Sequence, residues 1–195
     1  MKRALLFALL LTACQEDAAQ SIDPVAMTAE TLGHFCQMNL LEHDGPKGQV
    51  HLDGLPGAPL FFSQVRDAVA YLRLPEQSHP ILAVYVSDMG AAGATWADPG
   101  AANWIDASTA HFVVGADVEG GMGAPELVPF ADIADAEAFA ILHGGSIMGL
   151  QAIPDDAVIA PVAGADPGGD DYASRLRALA EPEATHDQMH DQTGG

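Results

Sequence analysis

Two stretches of the sequence, GAPLFFSQVRDAVAYL at residues 57–72 and GAPELVPFADIADAEAFA at residues 123–140, resemble each other and organise the chain. Each begins with Gly-Ala-Pro, continues with a short apolar run, and then places apolar residues at the spacing of an amphipathic helix. These helical positions are Phe61, Val65, Ala68, Val69 and Leu72 in the first stretch and Ile133, Ala136, Phe139 and Ala140 in the second. The match predicts two related units, each with one helix.

Local signals predict where these helices start and which segments flank them. Ser63 and Asp132 are the predicted N-caps, because short polar side chains accept hydrogen bonds from the free N–H groups at a helix start. The order strand, strand, helix, strand, run twice, predicts an α+β fold of two small related ββαβ units at residues 32–95 and 96–160. Strand-like composition occurs in GQVHLDG at 48–54, ILAVYVSD at 81–88, NWIDAST at 103–109 and HFVVGADV at 111–118.

The N-terminus, MKRALLFALLLTAC, has the pattern of a secretory signal. A basic dipeptide precedes the apolar run Ala4–Leu11, which is too short to span a bilayer. The run ends in Leu-Thr-Ala-Cys, which resembles a bacterial lipobox, so residues 1–13 are the predicted signal peptide and Cys14 the lipidated residue. The alternative is an ordinary signal peptide with Cys14 present by chance. Lipidation predicts attachment to the periplasmic face of a membrane, and Gln15 favours the outer membrane.

The chain is strongly acidic, with 27 Asp and Glu against 7 Lys and Arg and a formal charge of −20. Such a surface is repelled by nucleic acid and by anionic headgroups but suits cationic partners, including metal ions. Residues 14–31 are predicted to be a flexible tether, and residues 161–195 an acidic, mostly disordered tail. The tail residues His186, Met189 and His190 either capture copper loosely or reflect its polar composition.

The second cysteine lies in GHFCQMNL at residues 33–40. If Cys14 is lipidated, Cys36 has no partner for an intramolecular disulfide, although secreted proteins usually pair their cysteines. Cys36 is then either buried and inert, or a ligand or nucleophile. With Met38 it forms a Cys-x-Met motif, whose side chains share one face of an extended segment and offer soft sulfur donors suited to Cu(I). The alternative is that Met38 packs in the core.

Two further residues are candidate ligands. Met122 lies in EGGMGAPE, where glycine and proline predict a loop with no apolar face to pack against. It is either an incidental loop methionine or a sulfur ligand in a site shared by the two units. His143 ends the second predicted helix, where it either caps the helix or binds metal.

The lipobox, CQMNL, FSQVRDAVAYL, AHFVVGADVEGGMGAPELVPF and EAFAILHGG, in this order and spacing, resemble the NosL family over residues 11–155. This family comprises lipoprotein copper chaperones that accompany nitrous oxide reductase in denitrifying bacteria. The resemblance implies two ββαβ units and one Cu(I), bound by Cys36, Met38 and Met122. It also implies that the copper is supplied to the copper centres of the reductase, with a membrane ABC-type assembly as a partner.

Two other functions are compatible with the residues alone. Cys36 paired with His34, His111 or His143 would suit a periplasmic hydrolase or lyase, although the sequence has no nucleophile elbow, no Cys-x-x-Cys and no phosphate-binding loop. A scaffolding lipoprotein would dock a basic partner through its acidic surface and bind no metal. With the resemblance included, the sequence favours a copper chaperone that is not an enzyme.

Overall fold

The structure, a computed structural model, describes residues 19–75 and 77–159. The predicted signal peptide, Cys14 and the C-terminal tail with His186, Met189 and His190 lie outside the described residues. The described part contains two antiparallel sheets and two helices, which confirms the predicted α+β class. Neither of these helices is long and apolar enough to cross a membrane.

The first unit contains three strands and one helix, with a fourth short strand added at the edge of its sheet. Its strand order is β2-β1-β3-β4, with every pair antiparallel. The helix α1 carries Asp67 in its first turn and Arg73 in its last, which is the charge order that complements the helix dipole. The elements are β1 (Gly48–Leu52), β2 (Leu60–Phe62), α1 (Val65–Arg73), β3 (Ile81–Val86) and β4 (Ile105–Asp106).

The second unit repeats this topology, with the strand order β6-β5-β7. In both units the first strand is central and pairs with the other two, as expected for two related ββαβ units. Asp132 caps α2 as predicted, since its side chain accepts a hydrogen bond from the N–H of Ala134 at 2.9 Å. The elements are β5 (His111–Val114), β6 (Val128–Phe130), α2 (Ile133–His143) and β7 (Ser146–Met148).

Two local predictions at the start of α1 were wrong. Phe61 lies in β2, where it pairs with Gln49, and not on the helix. The helix begins at Val65 with Gln64 at the N-cap position, so Ser63 is not the cap. Pairing with β1 holds the backbone extended to the end of β2, and this delays the start of the helix.

The two units share a hydrophobic core. Val65 and Val69 of α1 pack in one cluster with Phe112 of β5 and with Leu127, which precedes β6. All four side chains are at most 2% exposed. Burial of each such side chain contributes about 1.5–3 kcal/mol to folding. The core therefore holds the first and second units together.

Part of the predicted tether, from Gln20 to Val25, is bonded to the first sheet. The side-chain amide of Gln49 accepts from the N–H of Val25 at 2.9 Å and donates to the carbonyl of Val25 at 3.1 Å. Gln20 donates to the carbonyl of Leu52 at 2.8 Å. The chain is therefore bonded to the folded part from Gln20 onward.

Candidate metal centre

Cys36 lies on a tight loop, residues 33–38, which we call the Cys36 loop. An isolated bridge between Leu32 and Asn39 closes its base. Gln37 has a φ of +56°, the left-handed conformation that turns the chain back on itself. The Cys-x-Met motif therefore lies on a turn and not on an extended segment, so the prediction that its two side chains share one face of a strand does not apply.

The thiol of Cys36 lies over Gly33 at the base of this loop. It is a free, half-buried cysteine. A Cβ atom on Gly33 would overlap Sγ of Cys36 and would lie 3.3 Å from Cδ1 of Leu40. Met38, in contrast, is 44% exposed, so it does not pack in the core. Within one short loop, the thiol position is defined by packing and the thioether is open to solvent.

His34 attaches the Cys36 loop to the first unit. Its backbone N–H donates to the carbonyl of Phe61 at 2.6 Å. Its ring makes edge contacts with Phe62 and Tyr71, with ring centroids 5.6 Å apart in each case. The ring of His34 therefore belongs to an aromatic cluster at the point where β2 leads into α1.

Met122 lies in the connection between β5 and β6, as predicted for a loop. We call residues 119–125 the Met122 loop. An isolated bridge joins Glu119 to Pro125, and the N–H of Gly120 donates to the carbonyl of Ala124 at 2.9 Å. Met122 is 45% exposed. The thioether therefore lies on a closed turn and is accessible to solvent.

The Met122 loop contacts the segment that follows the Cys36 loop. Nδ1 of His43 lies 3.2 Å from the carbonyl oxygen of Gly121, and it is the donor because a carbonyl can only accept. A Cβ atom on Gly121 would lie 2.7 Å from Cβ of His43, so the backbones are close. The 3₁₀ turn Leu40–Glu42, which rises about 2 Å per residue, connects the Cys-x-Met motif to His43. The Met122 loop therefore contacts the chain just beyond the motif.

The assignment of Cys36, Met38 and Met122 as metal ligands stays a prediction. No hydrogen bond within residues 19–75 and 77–159 joins Cys36, Met38 and Met122 to one another. The same residues contain no cluster of three or more His, Cys, Asp or Glu side chains that could hold a metal ion. The three predicted ligands in this part of the chain, Cys36, Met38 and Met122, are all sulfur donors, which select soft cations.

Glu126 joins the second unit to the start of α1. Its Oε1 accepts hydrogen bonds from the N–H of Arg66 at 3.0 Å and from its neighbour Leu127 at 2.8 Å. The N-cap residue Gln64 makes no side-chain cap, so Glu126 satisfies one of the free N–H groups of the helix. Burial raises the pKa of Glu126 to about 8. A pKa in this range favours the protonated form of the carboxyl at neutral pH.

Lys47 is buried beneath residues 43–45, the segment that contacts the Met122 loop. Its Nζ donates to the backbone carbonyls of His43, Asp44 and Gly45 at 2.5–3.0 Å. Burial lowers the pKa of Lys47 to about 8, and Glu126 acts in the opposite direction. The ammonium group thereby holds three successive carbonyls in one turn. Lys47 was not among the predicted site residues, although a single lysine after residue 2 in so acidic a chain is a signal.

His143 is the last residue of α2, followed by Gly144 with a φ of +73° at the C-cap. Its ring lies on Phe139, with centroids 4.4 Å apart. The residue lines a groove of about 410 Å³ together with Met89, Trp96 and Glu119, among others. None of the three predicted sulfur ligands lines this groove. The structure thus places His143 at a helix end, and its role as a ligand stays a prediction.

Electrostatics at the surface favour the approach of a cation. The described residues contain three Lys and Arg side chains, of which Lys47 is 1% exposed and Arg66 is 7% exposed. The third, Arg73, is 19% exposed and forms a 2.7 Å ion pair with Asp155. Most of the exposed charged groups in this part of the chain are therefore carboxylates. Their negative charge raises the local concentration of cations.

Comparison with known proteins identifies the family. The family model for NosL matches residues 24–158. The chain belongs to the NosL family. It is 60% identical over 176 residues to the copper-binding lipoprotein NosL of Achromobacter cycloclastes, covering 89% of this chain and 91% of that relative. It is 35% identical over 169 residues to the copper-binding lipoprotein NosL of Stutzerimonas stutzeri, covering 85% of each.

Solved structures of NosL proteins match as well. The crystal structure of the copper chaperone NosL from Shewanella denitrificans aligns with a TM-score of 0.61 at 33% identity, covering 67% of this chain and 94% of that one. The solution structure of apo-NosL from Achromobacter cycloclastes aligns with a TM-score of 0.44 at 56% identity, covering 59% and 90%. The α+β fold of this family member is thus the fold of the crystallised NosL chaperone.

Proposed function

We propose that this NosL-family chain is a lipid-anchored periplasmic chaperone that binds one Cu(I) and delivers it for the assembly of the copper centres of nitrous oxide reductase. The observation that carries the proposal is a free thiol, Cys36, with two half-exposed thioethers, Met38 and Met122, on two loops that are linked through the contact of His43 with Gly121. Two relatives named as copper-binding lipoproteins and one named as a copper chaperone support the cargo. Cu(I) is the copper ion that such sulfur donors prefer.

Delivery would proceed by ligand exchange. Cys36 loses its proton when it binds the metal, so the thiolate supplies charge attraction and the thioethers supply soft neutral donors. With Met38 and Met122 both near half exposure, a sulfur or imidazole ligand of the acceptor can reach the ion before the first donor leaves. The copper is therefore transferred without being released into solution. The partners we propose are the reductase itself, directly or indirectly, and a membrane ABC-type assembly.

The proposed lipid at Cys14 would keep the domain close to the membrane. Gln20 is already bonded to the first sheet. Residues in an extended chain span at most about 3.6 Å each, so six residues reach roughly 20 Å. The folded part would therefore stay within about 20 Å of its anchor, on the periplasmic face, with the outer membrane favoured by Gln15.

The packing around the thiol supports a chaperone over a cysteine-dependent hydrolase. A nucleophilic cysteine needs a base within hydrogen-bonding distance. In the described part of the chain no hydrogen bond links Cys36 to a histidine, and the ring of His34 lies among Phe62 and Tyr71. We therefore propose binding and transfer, and no catalytic turnover.

A Cu(I) titration tests the proposal. The mature chain from residue 15 onward, purified without oxygen, is titrated with Cu(I) against a chromogenic Cu(I) chelator, beside the Cys36→Ala variant. We expect competition at one ion per chain, abolished in the variant. Failure of the wild-type chain to compete, or equal affinity of Cys36→Ala, would remove the proposal. His143→Gln, titrated in parallel, measures any contribution from that imidazole.

A further inference from the structure

Both sulfur-bearing loops are attached to the same short segment of the first unit. The Cys36 loop is bonded through the N–H of His34 to the carbonyl of Phe61. Glu126, which immediately follows the Met122 loop, accepts from the N–H of Arg66. Residues 61–66, where β2 leads into α1, therefore hold both loops, and we call them the β2–α1 corner.

Glu126 contacts the Met122 loop as well as the corner. Gly120 approaches the Oε2 end of its carboxyl so closely that a Cβ atom there would overlap Oε2. The same Cβ would lie 2.6 Å from Nε2 of Gln64, which itself donates to the carbonyl of Ala124 at 3.5 Å. One carboxyl group thus has Oε1 on the helix start and Oε2 against the base of the loop.

This carboxyl is buried away from solvent, and only one of its two oxygens accepts hydrogen bonds. Glu126 is 1% exposed, and its Oε2 has no hydrogen-bond partner. A buried polar atom without a partner costs free energy, so packing alone favours an apolar side chain at this position. Because an apolar side chain would leave the N–H of Arg66 without its acceptor, the carboxyl is suited to joining the two segments.

We propose that Glu126 is a positioning residue for copper binding: it holds the Met122 loop on the β2–α1 corner that also carries the Cys36 loop, and so sets the separation of the two sulfur-bearing loops. This inference rests on the proposed function, with Met122 as a Cu(I) ligand. Glu126 does not bind the metal itself. Its contribution is to keep the thioether of Met122 within reach of an ion held by Cys36.

Cu(I) affinities measured by chelator competition test the proposal. If Glu126 acts only through Met122, Glu126→Ala weakens binding by about the same factor as Met122→Leu, and the double variant binds no more weakly than Met122→Leu alone. Losses that multiply in the double variant would overturn the proposal. Glu126→Gln keeps an acceptor oxygen for the N–H of Arg66, and we expect it to bind within about twofold of wild type. An affinity as low as that of Glu126→Ala would count against positioning.

Two variants separate positioning from a general loss of stability. Asp132→Ala removes a carboxylate that accepts from the N–H of Ala134 at the start of α2, outside the Met122 loop, and we expect unchanged Cu(I) affinity. Gly120→Ala pushes the loop away from Glu126 while leaving Oε1 on the helix, and we expect it to weaken binding as Glu126→Ala does. An effect of Asp132→Ala equal to that of Glu126→Ala, or no effect of Gly120→Ala, would overturn the proposal.

Amide hydrogen exchange in the copper-free chain tests the same contact without the metal. We expect the N–H groups of Gly120 and Gly123, which are bonded within the Met122 loop, to exchange at least tenfold faster in Glu126→Ala than in wild type. Unchanged exchange would show that Glu126 does not hold the loop. If exchange accelerates but Met122→Leu binds Cu(I) like wild type, the positioning of the loop stands and the assignment of Met122 as a ligand fails.

Discussion

Oε1 of Glu126 accepts a hydrogen bond from the backbone N–H of Arg66 at 3.0 Å, across 60 residues of sequence. This bond joins the second ββαβ unit to the first helix of the first unit. It also places a carboxyl group in a fully buried position beside the Met122 loop. The same contact therefore affects stability, its pH dependence and the proposed geometry of the metal centre.

The buried carboxyl of Glu126 predicts a loss of stability with rising pH. Burial raises its pKa from 4.5 to about 8, so between these values the folded chain holds a proton that the unfolded chain has released. The folded state then binds more protons, and the free energy of unfolding falls by about 1.4 kcal/mol per pH unit from this group. The contribution is complete below pH 4.5 and is lost as pH rises through 8. Urea denaturation of wild type and Glu126→Gln, from pH 4.5 to 8, measures the difference. Parallel curves for the two proteins would contradict the assignment.

Replacement of Lys47 is expected to destabilise the chain strongly. Lys47→Met leaves the carbonyls of His43, Asp44 and Gly45 without their common donor, and we expect a loss of about 3 kcal/mol in the free energy of unfolding. Urea denaturation at pH 7 measures it. Asp155→Asn is the control, because it removes only the exposed side of an ion pair and should cost less than about 1 kcal/mol. Similar losses in the two variants would mean that the buried turn does not depend on Lys47.

Gly33 is expected to matter for copper because of the thiol beside it. Gly33→Ala adds a methyl group that overlaps Sγ of Cys36, so the thiol must move. We expect Cu(I) affinity to fall about tenfold, equivalent to about 1.4 kcal/mol, with little change in far-UV circular dichroism. Gly149→Ala is the matched control, since nothing lies within 4 Å of its Cβ position. Wild-type affinity for Gly33→Ala would show that the thiol need not occupy this position.

The three proposed sulfur ligands should contribute unequally. Cys36→Ala removes the only charged donor, so we expect a larger loss of Cu(I) affinity than for Met38→Leu or Met122→Leu. Because the thiol must release its proton to bind, the affinity of the wild-type chain and of both methionine variants should also fall as pH decreases. Competition titrations at several pH values measure both effects. A methionine variant that binds Cu(I) more weakly than Cys36→Ala would contradict the expected order of contributions.

Local sequence patterns predicted most of the fold. Apolar spacing identified both helices, Asp132 identified the start of α2, and strand composition identified β1, β3 and β5. These features depend on residues close together in the chain. The short strands β2, β6 and β7 were not recognised, since three residues carry little pattern and their pairing is with strands distant in sequence. Phe61 was misassigned for the same reason.

For the candidate site, too, some features follow from the sequence and others only from the folded structure. The sequence by itself supplied the proposed donors, because a lone thiol, the Cys-x-Met motif and a methionine among glycines are visible without a structure. It also determined the family. Only the tertiary structure decided that His34 belongs to an aromatic cluster, that Gly33 makes room for the thiol, and that Glu126 and Lys47 are buried beside the loops. Those outcomes depend on contacts between segments as much as 78 residues apart, and burial and hydrogen bonding between such segments exist only once the chain has folded.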